Sequence, residues 1–332
     1  MLILRKSDVL DVLDGSERAV RDAVSGAYVA HAEGRTVVPH STFLRFPDEP
    51  GNRIIALPAY VGGAHPVASL KWIASFPGNI DRGVERASAA ILLNSMTDGR
   101  PVALLEGSVI SARRTAASAA VAARELTSGA PEDVRSGVSL VGCGVINFEV
   151  LRFLRSEFPE LGTVTIADLS AERARRFGDR ITAQWPDLSV TVVEDAEAAT
   201  RAHRLISIAT TASSPYLSTR SCEPGSVVLH VSLRDLAVDS IIGARNVVDD
   251  ADHVCRAATS LDLAQQAVGH RDFVHAEVGD ILAGTVSVGY DRTATTVFSP
   301  FGLGALDAAV AAFVVDTATE RELGTSVPGF LE

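Results

Sequence analysis

The turn Gly142-Cys143-Gly144 has the residue types of a phosphate-binding loop. It follows the apolar run SLV and opens the amphipathic segment INFEVLRFLRSEF, so it joins a predicted strand to a predicted helix. In a dinucleotide-binding unit, such glycines let the backbone approach a pyrophosphate, which then lies at the positive N-terminus of the helix. The usual third glycine is replaced by Asn147. A plain tight turn is therefore the alternative.

An acidic residue, Asp168, ends the next predicted strand, TVTIAD. It lies 26 residues after Gly142, against a spacing of about 20 in the dinucleotide fingerprint. A carboxylate there can accept both ribose hydroxyls and repels a 2′-phosphate, which favours NAD over NADP, although the nearby Arg173 points towards NADP. Asp168 could instead cap the following helix, a role that Ser170 fills equally well.

Two hydroxyl residues, Thr210 and Thr211, follow a further predicted strand in the segment IATTASSP. Ligands of open parallel sheets bind outside the carboxyl ends of the strands. We therefore expect these hydroxyls to line a cofactor site, with an ordinary polar loop as the alternative.

Cations occur at places where the local pattern does not favour them. Lys71 interrupts the apolar run VASLKWIAS, and Arg35 precedes the first predicted strand. Arg113 and Arg114 begin a predicted helix, where the helix dipole disfavours positive charge. Bidentate binding of carboxylates would explain paired arginines there. The alternatives are a Lys71 that extends to the surface and an arginine in an ion pair between domains or subunits.

The segment VVLHVSLRD ends in Arg234 and Asp235. Catalytic residues of parallel sheets gather just beyond such strands, so Asp235 is the candidate acid or base, unless it simply pairs with Arg234. His230 fits a buried core histidine better than a catalyst. Together with the cations, these residues predict a carboxylate-binding pocket, a nicotinamide and one acid for proton transfer.

The elements that position these residues change in character along the chain. Apolar residues at helical spacing over 7–33 predict one helix with Ser7 as its N-cap. Short apolar segments divided by turn residues over 36–105 predict a mostly antiparallel sheet, with MTDGRP as a hairpin turn. Strands and helices alternate from about 137 to 250, which predicts a parallel sheet covered on both faces.

The remaining segments are predicted to be mainly helical. Residues 108–126 are rich in alanine and favour a helix, and residues 257–295 suggest helices with loops. The tail forms a glycine turn followed by one long apolar helix. A β-rich unit therefore precedes a dinucleotide-type unit, and the overall class is α/β.

Composition limits the functions that this chain can have. Its 332 residues suffice for two domains, and the net charge of −11 makes a nucleic-acid partner improbable without excluding an anionic substrate. Cys143, Cys222 and Cys255 form no C-x-x-C pair, which argues against a disulfide framework or a metal site. A signal peptide pattern and a long apolar span are both missing from the sequence, so we expect a cytoplasmic protein without membrane contact.

The chain resembles the ornithine cyclodeaminase/μ-crystallin family over nearly its whole length. The resemblance is carried by LKWIASFPGN, ILLNSMTDGRPVALLEGSVISARRTAASAAVAA, VGCGVINFEVLRFL, TVTIADLS, SIATTASSP and TVFSPFGLGALDAAVA. It implies a homodimer with a Rossmann-type NAD-binding domain at 118–301. It also implies a smaller α+β substrate-binding and dimerisation domain at 1–117, completed by the C-terminal helix within 302–332.

The resemblance also implies roles for single residues. Arg35, Lys71 and Arg114 match positions that hold carboxylate or carbonyl groups of the substrate. Asp235 matches the catalytic acid/base, and Lys71 would assist it in catalysis. The implied cofactor contacts, besides Thr210 and Thr211, are Thr115, Gly142, Gly144, Val145, Ile146 and Asp168.

One departure from ornithine cyclodeaminase proper concerns the segment before the acid. That enzyme has a glycine-rich stretch there and continues with Pro-Gly-Lys and Glu, whereas HVSLRDLAVDS is shorter and places Arg234 before Asp235. An extra cation suits a small amino-acid-derived substrate with several carboxylates better than the terminal ammonium of ornithine. Arg234 is therefore a further expected substrate contact.

Together with KWIASFPGNIDRGVERASA, this segment is similar to the family branch that makes 2,3-diaminopropionate for siderophores and peptide antibiotics. In that branch a pyridoxal-phosphate-dependent, cysteine-synthase-like partner joins an activated serine to glutamate. The NAD enzyme then oxidises N-(2-amino-2-carboxyethyl)-L-glutamate and releases 2-oxoglutarate and L-2,3-diaminopropionate. Two alternatives stay open: an ornithine cyclodeaminase or other ketimine/imine reductase, and a non-enzymatic binder of cofactor and small molecule.

Overall fold

The computed structural model describes residues 1–331. The chain divides into two compact units. Unit 1 comprises Met1–Arg114 together with the C-terminal residues from Gly302 onward, and unit 2 comprises Thr115–Phe301.

Sixteen strands form within the described residues. In chain order they are β1 (Leu2–Leu4), β2 (Thr36–Val37), β3 (Thr42–Phe46), β4 (Glu49–Val61), β5 (Val67–Ser75), β6 (Ala87–Asn94), β7 (Pro101–Glu106), β8 (Gly137–Val141), β9 (Thr163–Ala167), β10 (Ser189–Val192), β11 (Leu205–Ile208), β12 (Val227–His230), β13 (Arg245–Val248), β14 (Val274–Glu277), β15 (Thr296–Ser299) and β16 (Thr325–Ser326).

Eleven α-helices accompany the strands within residues 1–331. They are α1 (Lys6–Leu13), α2 (Glu17–Ala32), α3 (Ser108–Leu126), α4 (Val145–Glu157), α5 (Ala171–Gln184), α6 (Ala196–Ala202), α7 (Val238–Ile242), α8 (Ala251–Val254), α9 (Ser260–Val268), α10 (Val278–Leu282) and α11 (Gly304–Glu320). Each is too short or too polar to span a bilayer.

Unit 1 contains a mixed sheet in the order β16-β1-β7-β6-β5-β4-β2, with β3 pairing with β4. All neighbours are antiparallel except β1 and β7. The MTDGRP segment connects β6 to β7, as predicted. Helix α11 packs against α2, β4 and β5, and its buried side chains include Leu306 and Val310. The long apolar tail is therefore part of the core of unit 1.

The prediction of one helix over 7–33 is wrong, because the chain turns between α1 and α2 at Gly15. Gly15 has φ +77°, a left-handed conformation that only glycine adopts without cost. The N-cap of α1 is Arg5 rather than Ser7, and the Arg5 N–H donates to Asp8 Oδ2 at 2.8 Å. The apolar repeat continues in phase across the break, which is why it suggested a single helix.

Unit 2 contains an eight-stranded sheet that is parallel throughout, in the order β10-β9-β8-β11-β12-β15-β13-β14. The α/β fold class with a Rossmann-type unit is thereby confirmed. Strands β14 and β15 were not predicted, because VHAE in β14 contains two polar residues and β15 follows a long irregular stretch instead of a helix. The chain moves to one side of β8 to form β9 and to the other side to form β11. The carboxyl ends of β8 and β11 therefore flank the switch point of the sheet.

Candidate functional sites in the two units

The glycine turn lies at the switch point of the sheet in unit 2. Gly142 has φ +94°, and a Cβ atom there would overlap the Ala209 carbonyl oxygen, which follows β11. Gly144 is the N-cap of α4, offers no side chain to the helix and has open space beside it. Val145 in the first turn of α4 is 51% exposed, and Ile146 is half-buried. The first N–H groups of α4 can therefore donate to a bound anion.

Asn147 takes the place of the third glycine for a structural reason. Its side chain is fully buried, and its Nδ2 donates to the carbonyl oxygens of Val141 at 2.9 Å and Gly142 at 2.7 Å. Its Oδ1 accepts from the Ser207 hydroxyl at 2.7 Å. The Asn147 amide thus links the end of β8 to β11. Hydrogen bonds hold the turn in this chain, whereas in the usual fingerprint the third glycine allows close packing of the helix against the strand.

Asp168 is held beside the glycine turn. Its carboxylate accepts from the Cys143 N–H and the Ser170 N–H, both at 2.9 Å, and Arg173 Nη1 lies 3.3 Å away. The N-cap of α5 is Ser170, whose hydroxyl accepts from the Arg173 N–H. Burial and the Asp168 charge raise the pKa of Cys143 to about 12, so its thiol stays protonated.

Asp235 is fully buried in a network of hydroxyl groups and one histidine. The Thr210 hydroxyl donates to its Oδ1 and the Ser232 hydroxyl to its Oδ2. His230 Nε2 lies 3.2 Å from the Asp235 backbone nitrogen, and His230 Nδ1 lies 3.1 Å from the Ser299 hydroxyl. His230 Nε2 also lies 3.4 Å from Asp235 Oδ2. His230 is thus a buried core histidine, as expected, but it also orients the candidate acid.

The surroundings of Asp235 keep it ionised. Burial raises its pKa, but the hydrogen bonds and charge of His230 and the hydroxyls of Ser232 and Thr210 outweigh that effect and hold its pKa below the usual value. Tyr216 lies near the same carboxylate, and its N–H donates to the Asp235 carbonyl oxygen at 2.9 Å. Burial and then the Asp235 charge raise the pKa of Tyr216 to about 12. Sequence reasoning missed Tyr216, because a tyrosine in a polar loop carries no signal.

The remaining predicted residues of unit 2 are Arg234, Thr211 and Thr115. Arg234 Nη2 donates to the Ala257 carbonyl oxygen at 2.8 Å. Leu233, just before it, has φ +69°, an uncommon conformation for a branched side chain. Thr211 is exposed, and Thr115 in α3 is half-buried.

In unit 1, two predicted cations share one buried carboxylate. Lys71 Nζ lies 2.6 Å from Asp307 Oδ2, and Arg114 Nε lies 3.0 Å from Asp307 Oδ1. The Ser111 hydroxyl is a further partner of Lys71 at 3.3 Å. The Lys71 side chain is 2% exposed, so it does not extend to the surface. Sequence reasoning missed Asp307, although an acid in the apolar helix GALDAAVAAFVV conflicts with its local pattern as Lys71 does.

The charge of Lys71 is sensitive to this environment. Burial and then the Arg114 charge lower the pKa of Lys71, the Asp307 carboxylate opposes them, and the result is a pKa of about 8. One carboxylate and two cations leave a net positive charge inside unit 1 at neutral pH. Such a site can bind a carboxylate.

Arg113 and Arg35 have other surroundings. Arg113 is buried, and its guanidinium donates to the Leu13 carbonyl oxygen at 3.2 Å and to Asp14 Oδ1 at 2.6 Å. It therefore caps the C-terminus of α1, an ion pair within unit 1 rather than a ligand contact. The Arg35 side chain is 45% exposed and its Nε donates to Glu33 Oε2 at 2.7 Å. No contact between Arg35 and Lys71 or Arg114 is found in the described part of the chain.

These features define a chain with a dinucleotide-binding α/β unit and an α+β unit that buries a Lys–Asp–Arg cluster. The chain belongs to the ornithine cyclodeaminase/mu-crystallin family, whose model matches residues 3–322. It is 29% identical over 333 residues to the N-((2S)-2-amino-2-carboxyethyl)-L-glutamate dehydrogenase of Staphylococcus aureus, covering 98% of each chain.

Two solved structures share the fold over the whole chain. The Δ(1)-pyrroline-2-carboxylate reductase of Thermococcus litoralis, in complex with NADH and L-proline, has a TM-score of 0.91 at 26% identity and covers 98% of this chain and 100% of its own. An archaeal alanine dehydrogenase dimer with bound NAD has a TM-score of 0.88 at 27% identity and covers 99% of both chains.

Proposed function

We propose that this protein catalyses the NAD-dependent oxidative cleavage of N-(2-amino-2-carboxyethyl)-L-glutamate to 2-oxoglutarate and L-2,3-diaminopropionate, in the biosynthesis of a siderophore or peptide antibiotic. At the coarser level it is an NAD-dependent oxidoreductase acting on amino-acid-derived amines, like its named relatives. The observation that carries the proposal is the buried cluster in which Lys71 and Arg114 share Asp307. The cluster has a net positive charge, which is suited to binding a substrate carboxylate.

The turn region of unit 2 fits NAD. The uncapped first turn of α4 offers N–H groups to the pyrophosphate, with Gly142, Gly144, Val145 and Ile146 around it. Asp168, fixed beside that turn by the Cys143 N–H, would accept the ribose hydroxyls. When bound, NAD supplies the acceptor for the hydride that leaves the substrate Cα. Thr115 and Thr211 are further proposed contacts.

Unit 1 would bind and orient the substrate. The Arg114 guanidinium and the Lys71 ammonium bind a carboxylate, and Asp307 fixes both cations in place. Holding the reacting carbon in one orientation is a large part of what such residues contribute to the rate. Arg234 would bind an additional carboxylate. The exposure of Arg35 gives its proposed substrate contact no support from the structure.

Asp235 would accept the proton. Because its pKa is held low, Asp235 is ionised at neutral pH and can take the proton of the amine nitrogen as the Cα–N bond becomes an imine. Asp235 would return this proton to the imine nitrogen and then accept one from the attacking water. It would pass that second proton to the nitrogen of the carbinolamine, whose C–N bond then breaks to give the keto acid and diaminopropionate. Proton transfer by a positioned group is typically worth about 10²–10⁴-fold in rate. The Thr210 and Ser232 hydroxyls orient the carboxylate.

A homodimer is the proposed assembly, and one face of the unit 1 sheet supports it. The side chains of Pro58, Leu70, Leu92 and Leu104 lie in register across β4, β5, β6 and β7 on the face opposite Lys71. All four are half-buried, and neighbouring Trp72 is 44% exposed. An apolar sheet face of this kind marks an interaction surface. The archaeal alanine dehydrogenase of the same fold is a dimer.

The reaction can be tested with purified protein, NAD and the amine. The expected result is a rise in absorbance at the nicotinamide wavelength, with 2-oxoglutarate and diaminopropionate detected by mass spectrometry. Asp235→Asn should bind NAD as the wild type does and lose about 10²–10⁴-fold in turnover. Asp239→Asn, at an exposed carboxylate in α7 four residues further along the chain, is the matched control. Full turnover by Asp235→Asn would remove Asp235 from the role.

The second candidate function is imine reduction, favoured by the similarity to the Thermococcus reductase. It predicts that the protein oxidises NADH with Δ(1)-pyrroline-2-carboxylate and leaves the glutamate-derived amine unchanged. This outcome would replace the proposed cleavage reaction.

A further inference from the structure

Three arginines meet at one end of the unit 1 sheet. Arg45 on β3 lies directly opposite Arg53 on β4, and Arg53 lies opposite Ser75 on β5. Arg86, which precedes β6, donates from Nη1 to the Ser75 hydroxyl at 2.7 Å. The two registers and this hydrogen bond place Arg53 and Arg86 next to Ser75, with Arg45 beside Arg53 on the neighbouring strand.

The charge of this cluster has no carboxylate partner among the side chains that the structure describes. Arg53 Nε is buried and has no hydrogen-bond partner there. Burial and then the Arg45 charge lower the pKa of Arg53, and burial and then the Arg53 charge lower that of Arg86. Like charges opposite each other on neighbouring strands are destabilising. The chain carries a net charge of −11, yet none of its described carboxylates pairs with these arginines. We therefore expect an anion from outside the chain to neutralise them.

The cluster lies on the same face of the sheet as Lys71. Along β5, Lys71, Ile73 and Ser75 share one face, and Lys71 and Ser75 are both buried. Four residues of strand correspond to about 13 Å between the two Cα atoms. The long side chains of lysine and arginine shorten the distance that a ligand has to span.

We propose that Arg45, Arg53 and Arg86 form a second anion site, which binds the carboxylates of the substrate that lie farthest from Lys71. The substrate class is then an amino-acid-derived amine with at least two separated carboxylates, and a monocarboxylate would leave the cluster without its anion. This inference rests on the proposed function and deepens it. Guanidinium groups are suited to the task because each can hold a carboxylate through two parallel hydrogen bonds.

The site can be tested without turnover, by ligand-dependent thermal unfolding of the full chain. Tricarballylate and glutarate are the probes, and acetate at equal ionic strength is the comparison. A ligand that binds only the folded state raises the melting temperature, so the two polycarboxylates should stabilise the wild type more than acetate does. Arg53→Gln and Arg86→Gln should lose this difference. Arg100→Gln, an exposed arginine of the same unit paired with Asp98, should keep it.

The same variants should change the kinetics selectively. Losing a charged hydrogen bond costs about 1.5–3 kcal/mol, so KM for the proposed amine should rise by roughly 10- to 100-fold. The kcat and the affinity for NAD should stay close to those of the wild type. Without ligand, Arg53→Gln should be at least as stable as the wild type, because one of the repelling charges is gone.

The outcomes separate this inference from the proposed function. Turnover of the amine with an unchanged KM in Arg53→Gln would overturn the second site and leave the reaction intact. The opposite outcome is also possible: the wild type does not turn over the amine but is stabilised by polycarboxylates, and the arginine variants lose that stabilisation. This would support the second site and reject the proposed reaction. If instead the variants alter the oligomeric state and keep the polycarboxylate effect, the cluster is a contact between subunits and the inference is wrong.

Discussion

Lys71 Nζ and Asp307 Oδ2 lie 2.6 Å apart although 236 residues separate them in the chain. Both side chains are buried, and Asp307 also holds Arg114 through its other oxygen. One carboxylate on α11 thereby connects the middle of β5 with the first half of α3. The C-terminal helix contributes a charge to the candidate substrate site as well as apolar packing to unit 1.

Removing that carboxylate should be costly. Asp307→Asn leaves Lys71 and Arg114 buried with no anion between them, and breaking a buried ion pair in this way typically costs about 3–5 kcal/mol. Urea unfolding of the variant should show the loss. Asp316→Asn, at an exposed position of the same helix, should unfold like the wild type. A loss below about 1 kcal/mol in Asp307→Asn would mean that the cluster is not a tight ionic contact.

The titration of Lys71 can be observed directly, since Lys6 and Lys71 are the two lysines of the chain. In protein carrying ¹⁵N-labelled lysine, Lys71 should titrate near its pKa of about 8, well below the value of 10.5 for a free lysine, while Lys6 serves as the internal reference. In Asp307→Asn the pKa of Lys71 should fall further, because Asp307 is the group that raises it. A Lys71 resonance that titrates near 10.5 would contradict this account of the site.

The lowered pKa of Lys71 also predicts how stability depends on pH. Between its folded pKa of about 8 and its unfolded value of 10.5, the unfolded chain binds more protons than the folded chain at this residue. Stability therefore gains up to about 1.4 kcal/mol per pH unit from Lys71 as pH rises through this window. Unfolding at a series of pH values should show that Lys71→Met loses this contribution. Carboxylate binding should change in the opposite direction, weakening above pH 8 as the ammonium loses its charge.

The third glycine of the fingerprint can be restored by Asn147→Gly, and we expect the protein to become less stable. The substitution removes three buried hydrogen bonds and leaves the Ser207 hydroxyl and two carbonyl groups without these partners. Each such group costs about 1–3 kcal/mol, and glycine costs about 1 kcal/mol more in a helix. Thermal unfolding measures the loss. Ser207→Ala removes only one of the three hydrogen bonds and should therefore lose less stability. If Asn147→Gly is more stable than the wild type, the amide does not fix the turn.

The sequence predicted the elements of unit 2 well where each strand was followed by an amphipathic helix. Over 137–250, the short apolar strands and the periodic helices have different lengths and compositions, so the alternation could be recognised. The strands β14 and β15 could not be recognised, because β14 is half polar and β15 follows the irregular residues 283–295. Their place in the sheet depends on pairing between segments far apart in the chain.

The candidate site of unit 1 was predictable only where a residue type conflicted with its local pattern, whereas Asp168 and Asp235 of unit 2 were predicted from their positions at strand ends. Lys71 and Arg114 were noticed for this reason. Arg53 begins the apolar segment RIIALPAYV and carries the same signal, although it is not among the predicted site residues. The partnership of Asp307 with Lys71 had no local signal, because it depends on how α11 packs against β4 and β5.

The apolar outer face of the unit 1 sheet predicts that the dimer depends on Trp72. Trp72 is 44% exposed on the face opposite Lys71, and a charge at the centre of an apolar contact must lose its hydration when the partner binds. Trp72→Glu should therefore shift the protein from dimer to monomer in light scattering coupled to gel filtration. The folded monomer should persist, since the side chain faces away from the core of unit 1. Val192→Glu, at a residue of unit 2 with 43% exposure, should leave the dimer intact. A Trp72→Glu protein that remains dimeric at micromolar concentration would place the subunit contact on another surface.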